Sequence, residues 1–275
     1  MDLNTYLPPR VAVIELSGVI GVKLHAREFT HLLRAVRENA RYKAVVLDID
    51  SPGGSPYASE DIYLAARALA RRKPLVAAVR GVGASGSYMV ACAGERIFAL
   101  PSAVVGSIGV ISLRPMVEDL LAKLGVEMRV AKTGDYKDMG SIFRAATAEE
   151  QAREQQFLDE IYTRFVEIVR EGRPQLSAEQ IDAIATGEVF LGAKAREVGL
   201  IDEVGSLDDA VEWVAARAGI DPKTAVLRPK RGLAQLVLGR AAAAMLDSAA
   251  LAVADRVAVE LAERLHRAAV GPPRS

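Results

Sequence analysis

Pro74-Leu75-Val76-Ala77-Ala78-Val79, leading into Gly83-Ala84-Ser85-Gly86-Ser87-Tyr88 and Met89-Val90-Ala91-Cys92-Ala93, decides how this chain is read. The first run is short, apolar and bounded by a proline, the pattern of a buried strand. The last is a run of small and apolar residues that reads as a helix. Ser85 therefore lies where a strand turns into a helix. At such a junction the hydroxyl is exposed, and the unpaired backbone N–H groups of the helix start point outward, suited to developing negative charge.

The same alternation extends outward from this stretch. Val11-Ala12-Val13-Ile14-Glu15-Leu16 reads as a buried strand, and Phe29, Leu32, Leu33 and Val36 mark the apolar stripe of the helix that follows it. Ala44 to Asp50 is the next strand. After the turn Ser51-Pro52-Gly53-Gly54, a helix from about Ser59 to Arg72 returns the chain to the strand that ends near Val79. Strand and helix in alternation specify an α/β fold with a mostly parallel sheet. Beyond Ser85 we expect a short strand at Arg96–Ala99, a glycine-punctuated stretch from Val104 to Ile111, a helix over Met116–Leu124 and a strand over Glu127–Ala131. Capping boxes at Thr147–Glu150 and Ser177–Gln180 open two more helices, the first with a stripe through Leu158, Ile161, Phe165 and Ile168. A helix over Leu207–Ala218 and a strand near Ala225–Leu227 complete the order.

The 275 residues divide into an extension over 1–9, one large domain over 10–230 and an alanine-rich helical tail over 231–275. In the tail, Val253, Val257, Leu261 and Leu265 share a helical face opposite Arg256, Glu260, Glu263 and Arg264. That stripe asks for a partner on its own or a neighbouring subunit. Peripheral membrane association is the alternative, and the mixed rather than basic polar face speaks against it. Thirty-five basic residues balance thirty-five acidic ones, so nucleic acid is not an expected partner. A single cysteine, Cys92, excludes an internal disulfide and a thiolate metal site, and fits a reducing, cytoplasmic setting. Residues 1–10 have neither a basic start nor an apolar run, so we read no signal peptide or anchor there. The apolar stretch from Leu233 to Leu265 is broken by Arg240, Asp247, Asp255 and Arg256, short of the roughly 20 uninterrupted apolar residues a spanning helix needs.

A serine hydroxyl attacks a carbonyl only when a base takes its proton. His25 and His31 fall in the first helical region and His266 in the tail, and none has a glycine-rich or acidic setting. An amine serves as base when burial without a counter-charge holds it neutral. Lys137, in Tyr136-Lys137-Asp138-Met139-Gly140-Ser141, and Lys132 are both candidates from the residues alone. The glycines of Ser51-Pro52-Gly53-Gly54 allow N–H groups to approach a substrate, so Gly53 or Gly54 together with Gly86 are expected to donate to an oxyanion. Ser107, in Gly106-Ser107-Ile108-Gly109-Val110, is a candidate to orient the amine. This chemistry calls for no metal or organic cofactor.

Those four motifs in this order, with Gly187-Glu188-Val189-Phe190 and Val198-Gly199-Leu200-Ile201-Asp202-Glu203-Val204-Gly205 behind them, closely resemble the signal peptide peptidase (protease IV) family over positions 10 to 215. The resemblance implies the superfold of Clp protease and crotonase, with Ser85 as nucleophile, Lys137 rather than Lys132 as base, and Ser107 assisting. It also implies a ring-like homo-oligomer with enclosed sites, acting on hydrophobic peptides such as remnant signal peptides or on unfolded segments. Three positions depart from the family pattern. Ser87 stands where a second glycine is usual, and Asp48 and Asp50 flank a strand where a basic or amide residue is expected. Two rival readings remain: an acyl-CoA enzyme of the crotonase type, and a non-catalytic scaffold that binds peptides.

Overall fold

The computed structural model describes residues 10–229 together with residue 8. The expected tail over 231–275, with its stripe from Val253 to Leu265, lies outside the described residues, as does most of the extension over 1–9. Along the chain the elements are β1 (Arg10–Ser17), α1 (Ala26–Glu38), β2 (Tyr42–Ser51), α2 (Pro56–Ala70), β3 (Leu75–Ala84), α3 (Gly86–Ala91), β4 (Arg96–Ala99) and β5 (Val104–Gly106). They continue as α4 (Glu118–Lys123), α5 (Ala148–Gly172), α6 (Ala178–Ile184), β6 (Val189–Leu191), α7 (Gly192–Glu197), β7 (Glu203–Val204), α8 (Leu207–Ala218) and β8 (Thr224–Leu227).

One mixed sheet runs β6-β5-β3-β2-β1-β8, and β4 pairs with the first half of β3 and with β7. Every pairing in it is parallel except β5 with β6. Parallel strands joined through helices are covered on both faces, which is why β1, β2 and β3 read as continuous apolar runs. The pleat sorts their residues. Ala12, Ile14 and Leu16 of β1, with Val45, Leu47 and Ile49 of β2, face the larger core that holds α1, α2, α3 and α5. Val11, Val13, Ala44, Val46, Val76 and Ala78 face α8 on the other side. Burial of these strands and of Phe29, Leu33, Ile62, Leu69, Ile168 and Val169 supplies the main driving force for the fold.

Both expected capping boxes are present. Thr147 Oγ1 accepts from Glu150 N while a Glu150 carboxylate oxygen accepts from Thr147 N, and Ser177 and Gln180 repeat the exchange. A third box, Ser206 with Asp209, opens α8. Two boundaries move. β3 runs five residues past Val79, to Ala84, because Gly83 and Ala84 pair with β5. α2 begins at Pro56, a proline at N1 where its missing N–H costs nothing. One expectation fails outright: Glu127–Ala131 forms no strand and lies exposed, since no strand among the described residues runs beside it. Among the described residues, no helix is long and apolar enough to cross a membrane.

Candidate active site

β3 ends at Ala84 and α3 starts at Gly86, so one residue makes the junction. Ser85 makes it with φ 54° and ψ −127°, in backbone territory that side chains avoid. Such a conformation costs about 1–3 kcal/mol and persists only where neighbours impose it. Ser85 N donates to Gly106 O of β5 at 2.8 Å, and Ser85 O accepts from Met89 N in α3 at 3.0 Å. Strand and helix together thus hold the residue with its side chain in a cavity of about 370 Å³.

Glycines of the Ser51–Gly54 turn close on this junction. A Cβ on Gly53, whose φ is 90°, would lie 2.6 Å from Gly86 N, so only glycine allows the turn to come so near. The Gly53 N–H is spent internally on Ser51 Oγ at 3.1 Å, and that hydroxyl in turn donates to Gly18 O at 2.6 Å. Gly54 N and Gly86 N have no hydrogen-bond acceptor among the described residues. They are near neighbours: a Cβ on Gly86 would lie 3.6 Å from Gly54 N. Both glycines line the cavity with Ser85. The sequence left Gly53 and Gly54 as alternatives, and the hydrogen bonding leaves Gly54 as the one with an unspent N–H.

Ser107 lines the same cavity. Its φ is 53°, its N–H is satisfied by Glu188 O at 2.7 Å, and its hydroxyl makes no hydrogen bond among the described residues. Met89 of α3 and Ile161 and Phe165 of α5 supply apolar wall. Ile161 and Phe165 belong to the stripe visible in the sequence, but nothing in their spacing says that α5, some 80 positions later, would pack over Ser85. His25 precedes α1 and His31 lies on it, both exposed and outside the cavity lining. His266 is outside the described residues.

The two lysines differ in setting. Lys132 Nζ donates to Asp135 O at 2.8 Å and pairs with Asp138 Oδ1 at 2.6 Å. Asp138 also accepts from Arg144 Nε at 2.8 Å, and Arg144 with Lys132 holds its carboxyl well below the usual carboxylate range. Arg144 continues to Glu150 of the α5 capping box, at 2.8 Å, and lowers that carboxyl to about 2. Lys137 sits in the turn that this network ties down. Its ammonium has no hydrogen-bond or ion-pair partner among the described residues, its side chain is exposed, and it does not line the Ser85 cavity. Met139, two positions on, borders the adjoining cavity, which shares Pro56, Val110, Ile111 and Ile161 with the first. The structure therefore brings Ser85, Ser107, Gly54 and Gly86 to one cavity and leaves Lys137 outside its lining.

Of the departures from the family pattern, Ser87 is fully buried below the cavity rather than in its lining. Asp48 is buried with Arg80 as its partner, and desolvation pushes its carboxyl up. Asp50 accepts from Val82 N at 3.1 Å, and neither aspartate lines the cavity. Among the described residues no group of His, Cys, Asp and Glu has the arrangement of a metal site.

A mainly parallel α/β sheet that ends in a serine on a strained strand–helix junction, beside two unspent backbone N–H groups, defines the class of protein: an α/β protein with a hydrolase-like cleft at its strand ends. Comparison with known sequences narrows it. The chain belongs to peptidase family S49, whose model matches residues 67–221. A Synechocystis sp. protein provisionally named as a protease is 37% identical over 213 residues, 78% of this chain and 76% of that protein. Protease 4 of Haemophilus influenzae is 34% identical over 212 residues, covering 74% of this chain and 34% of its own length. The protein named "Serine protease SPPA, chloroplastic" from Arabidopsis thaliana is 31% identical over 222 residues, 77% of this chain and 33% of the relative. The chain thus spans about a third of the length of the last two.

Proposed function

We propose that this peptidase is a serine endopeptidase of the Clp protease and crotonase superfold that cleaves hydrophobic peptide segments, remnant signal peptides or unfolded stretches among them, through an acyl-enzyme on Ser85. One observation carries the reading: a serine held at φ 54° faces a cavity beside two adjacent backbone N–H groups that have no acceptor among the described residues. Ser85 Oγ attacks the scissile carbonyl and gives its proton to the neutral amine of Lys137. Gly54 N and Gly86 N donate to the tetrahedral oxyanion, a fixed pair of dipoles that need not reorganise as charge develops. As the intermediate collapses, the Lys137 ammonium delivers the proton to the leaving amine, and water then hydrolyses the ester with the same amine as base. The Ser107 hydroxyl, unpartnered and in the cavity, orients that amine. Met89, Ile161 and Phe165 favour an apolar side chain on the substrate.

Because Lys137 is exposed and outside the lining of the Ser85 cavity, the reading includes a homo-oligomer in which a neighbouring copy supplies it. Enclosure in the assembly strips water from the amine and favours its neutral form. The same enclosure restricts access to extended or unfolded chains.

The test uses the purified chain, an apolar peptide reporter and a serine-directed fluorophosphonate. Covalent labelling of the wild type at Ser85, loss of cleavage in Ser85→Ala and near-complete loss in Lys137→Ala are expected. Cleavage that survives in Ser85→Ala, with no label on the wild type, removes the serine mechanism. Full activity in Lys137→Ala removes that base.

A further inference from the structure

We infer that Ser87, buried beneath the cleft, is a positioning residue that sets the spacing of the Gly54 and Gly86 amides. It is the second residue of α3 and has no exposed surface. A hydroxyl in such a place costs free energy unless it is hydrogen-bonded, so its partners are what keep it there. Its Oγ lies 2.6 Å from Ser51 O and 2.8 Å from Ala84 O. A serine hydroxyl has one proton to donate, which these two carbonyls share. Ala84 is a local acceptor at the end of β3. Ser51 is not local: it ends β2, 36 positions earlier, and begins the turn that carries Gly54.

The location of this tie gives it a consequence. β2 and β3 pair in regular parallel register from Val45–Leu75 to Ile49–Val79, and the register then shifts before Ser51 meets Gly83. The ladder thus loses its regularity at the strand ends that present the two amides. Ser87 Oγ bridges that gap from below, joining the backbone of Ser51 to the strand end that leads into Ser85 and α3. On the other side Ser51 Oγ fixes Gly53 N and Gly18 O, so the turn is gripped from both its carbonyl and its side chain. Gly54 N lies one residue after the Gly53 grip, and Gly86 N lies one residue before Ser87. A shift between the two turns translates directly into misalignment of the donor pair, while leaving in place the apolar wall that Ile161 and Phe165 of α5 supply, and with it most of substrate binding.

This inference rests on the reading of Gly54 and Gly86 as oxyanion donors, and the experiment separates the two. Ser87→Ala and the near-isosteric Ser87→Cys are purified as the full chain. Competent sites are counted by fluorophosphonate titration, and kcat per titrated site, KM and the pH–rate profile are measured on an apolar peptide reporter. Loss of one buried hydrogen bond that aligns the donors lowers kcat of Ser87→Ala about tenfold, with KM and the pH midpoint unchanged and Ser87→Cys intermediate. A purely structural role would reduce the number of titratable sites and leave kcat per site untouched, which overturns the inference. A moved pH midpoint also overturns it, since Ser87 would then act on the base. Should Ser87→Ala fail to fold, Ser87→Cys decides alone: kcat per site equal to wild type refutes the tie. A wild type that neither turns over nor labels sinks the serine mechanism and this inference with it. An active wild type and an equally active Ser87→Ala sink only the inference.

Discussion

Replacing Gly86 by alanine separates the role of its amide from the tolerance of its backbone. The φ of Gly86 is outside the left-handed region, so alanine is acceptable there as the first residue of a helix. The obstacle is a neighbour. A Cβ at Gly86 would lie 2.1 Å from Ser59 Oγ and 2.8 Å from Ser59 Cβ. Ser59 is fully buried in α2, and its Oγ donates to Ser55 O at 2.9 Å. Ordinary carbon contacts lie near 3.5–4.0 Å, so one partner must retreat by roughly 1 Å or more. α2 is anchored over 15 residues through Ile62, Tyr63, Ala66 and Leu69, whereas α3, though buried throughout, is only six residues long and begins directly after the strained Ser85. The displacement therefore falls on the segment that carries Gly86 N–H. Loss of one oxyanion donor costs about 10²–10³ in kcat, and we expect Gly86→Ala to fall in that range on the peptide reporter with little change in KM. Ser59→Gly removes both clashing atoms, so the double variant should recover to within about tenfold of Ser59→Gly alone, a strong positive coupling for residues in contact. Wild-type kcat in Gly86→Ala, or a double variant as impaired as the single, refutes the reasoning.

Two further outcomes are expected. Mixing Ser85→Ala with Lys137→Ala in equal amounts, by co-expression or co-refolding, should restore cleavage to about a quarter of wild type, since in a closed ring of random composition one neighbour pair in four carries both intact residues; no recovery at all would confine serine and lysine to one chain. Arg173→Ala should lower stability by about 3 kcal/mol in urea unfolding while kcat per titrated site is kept. Arg173 is 2% exposed and pairs with Asp202 at 2.7 Å, so its loss opens a void and leaves the Asp202 carboxylate with Ile97 N as its remaining donor. Unaltered stability would show that this pair contributes nothing net.

The contrast between what the sequence reveals and what it hides follows from where each segment finds its partners. β1, β2 and β3 lie inside one sheet, buried on both faces by helices of the same chain, so their apolar runs report a real local environment and are legible. The capping boxes at Thr147 and Ser177 are local by construction and equally legible. Ser87 is different. Its polar character has a reason only once Ser51 and Ala84 are brought beneath it, and the hydrogen bond to Ser51 spans 36 positions that no periodicity encodes.

Glu127–Ala131 is the instructive failure. Val126, Met128 and Val130 alternate with charged residues as a half-buried strand does, yet all three are exposed and no strand among the described residues lies alongside. Upstream, Ile111 and Leu113 are 78% and 83% exposed, and Leu120 and Leu124 are open as well. Isolated apolar residues on a surface need no explanation, but a run of them on one excursion of the chain does. The excursion from Ile111 to Phe143 is also the segment that carries Lys137, the candidate base that does not line the Ser85 cavity. Nothing among the described residues covers the open apolar residues of this segment; under the homo-oligomer proposed above, a neighbouring copy that covered them would also bring the amine to the serine, and an assembly that leaves Ile111 and Leu113 open would refute that link.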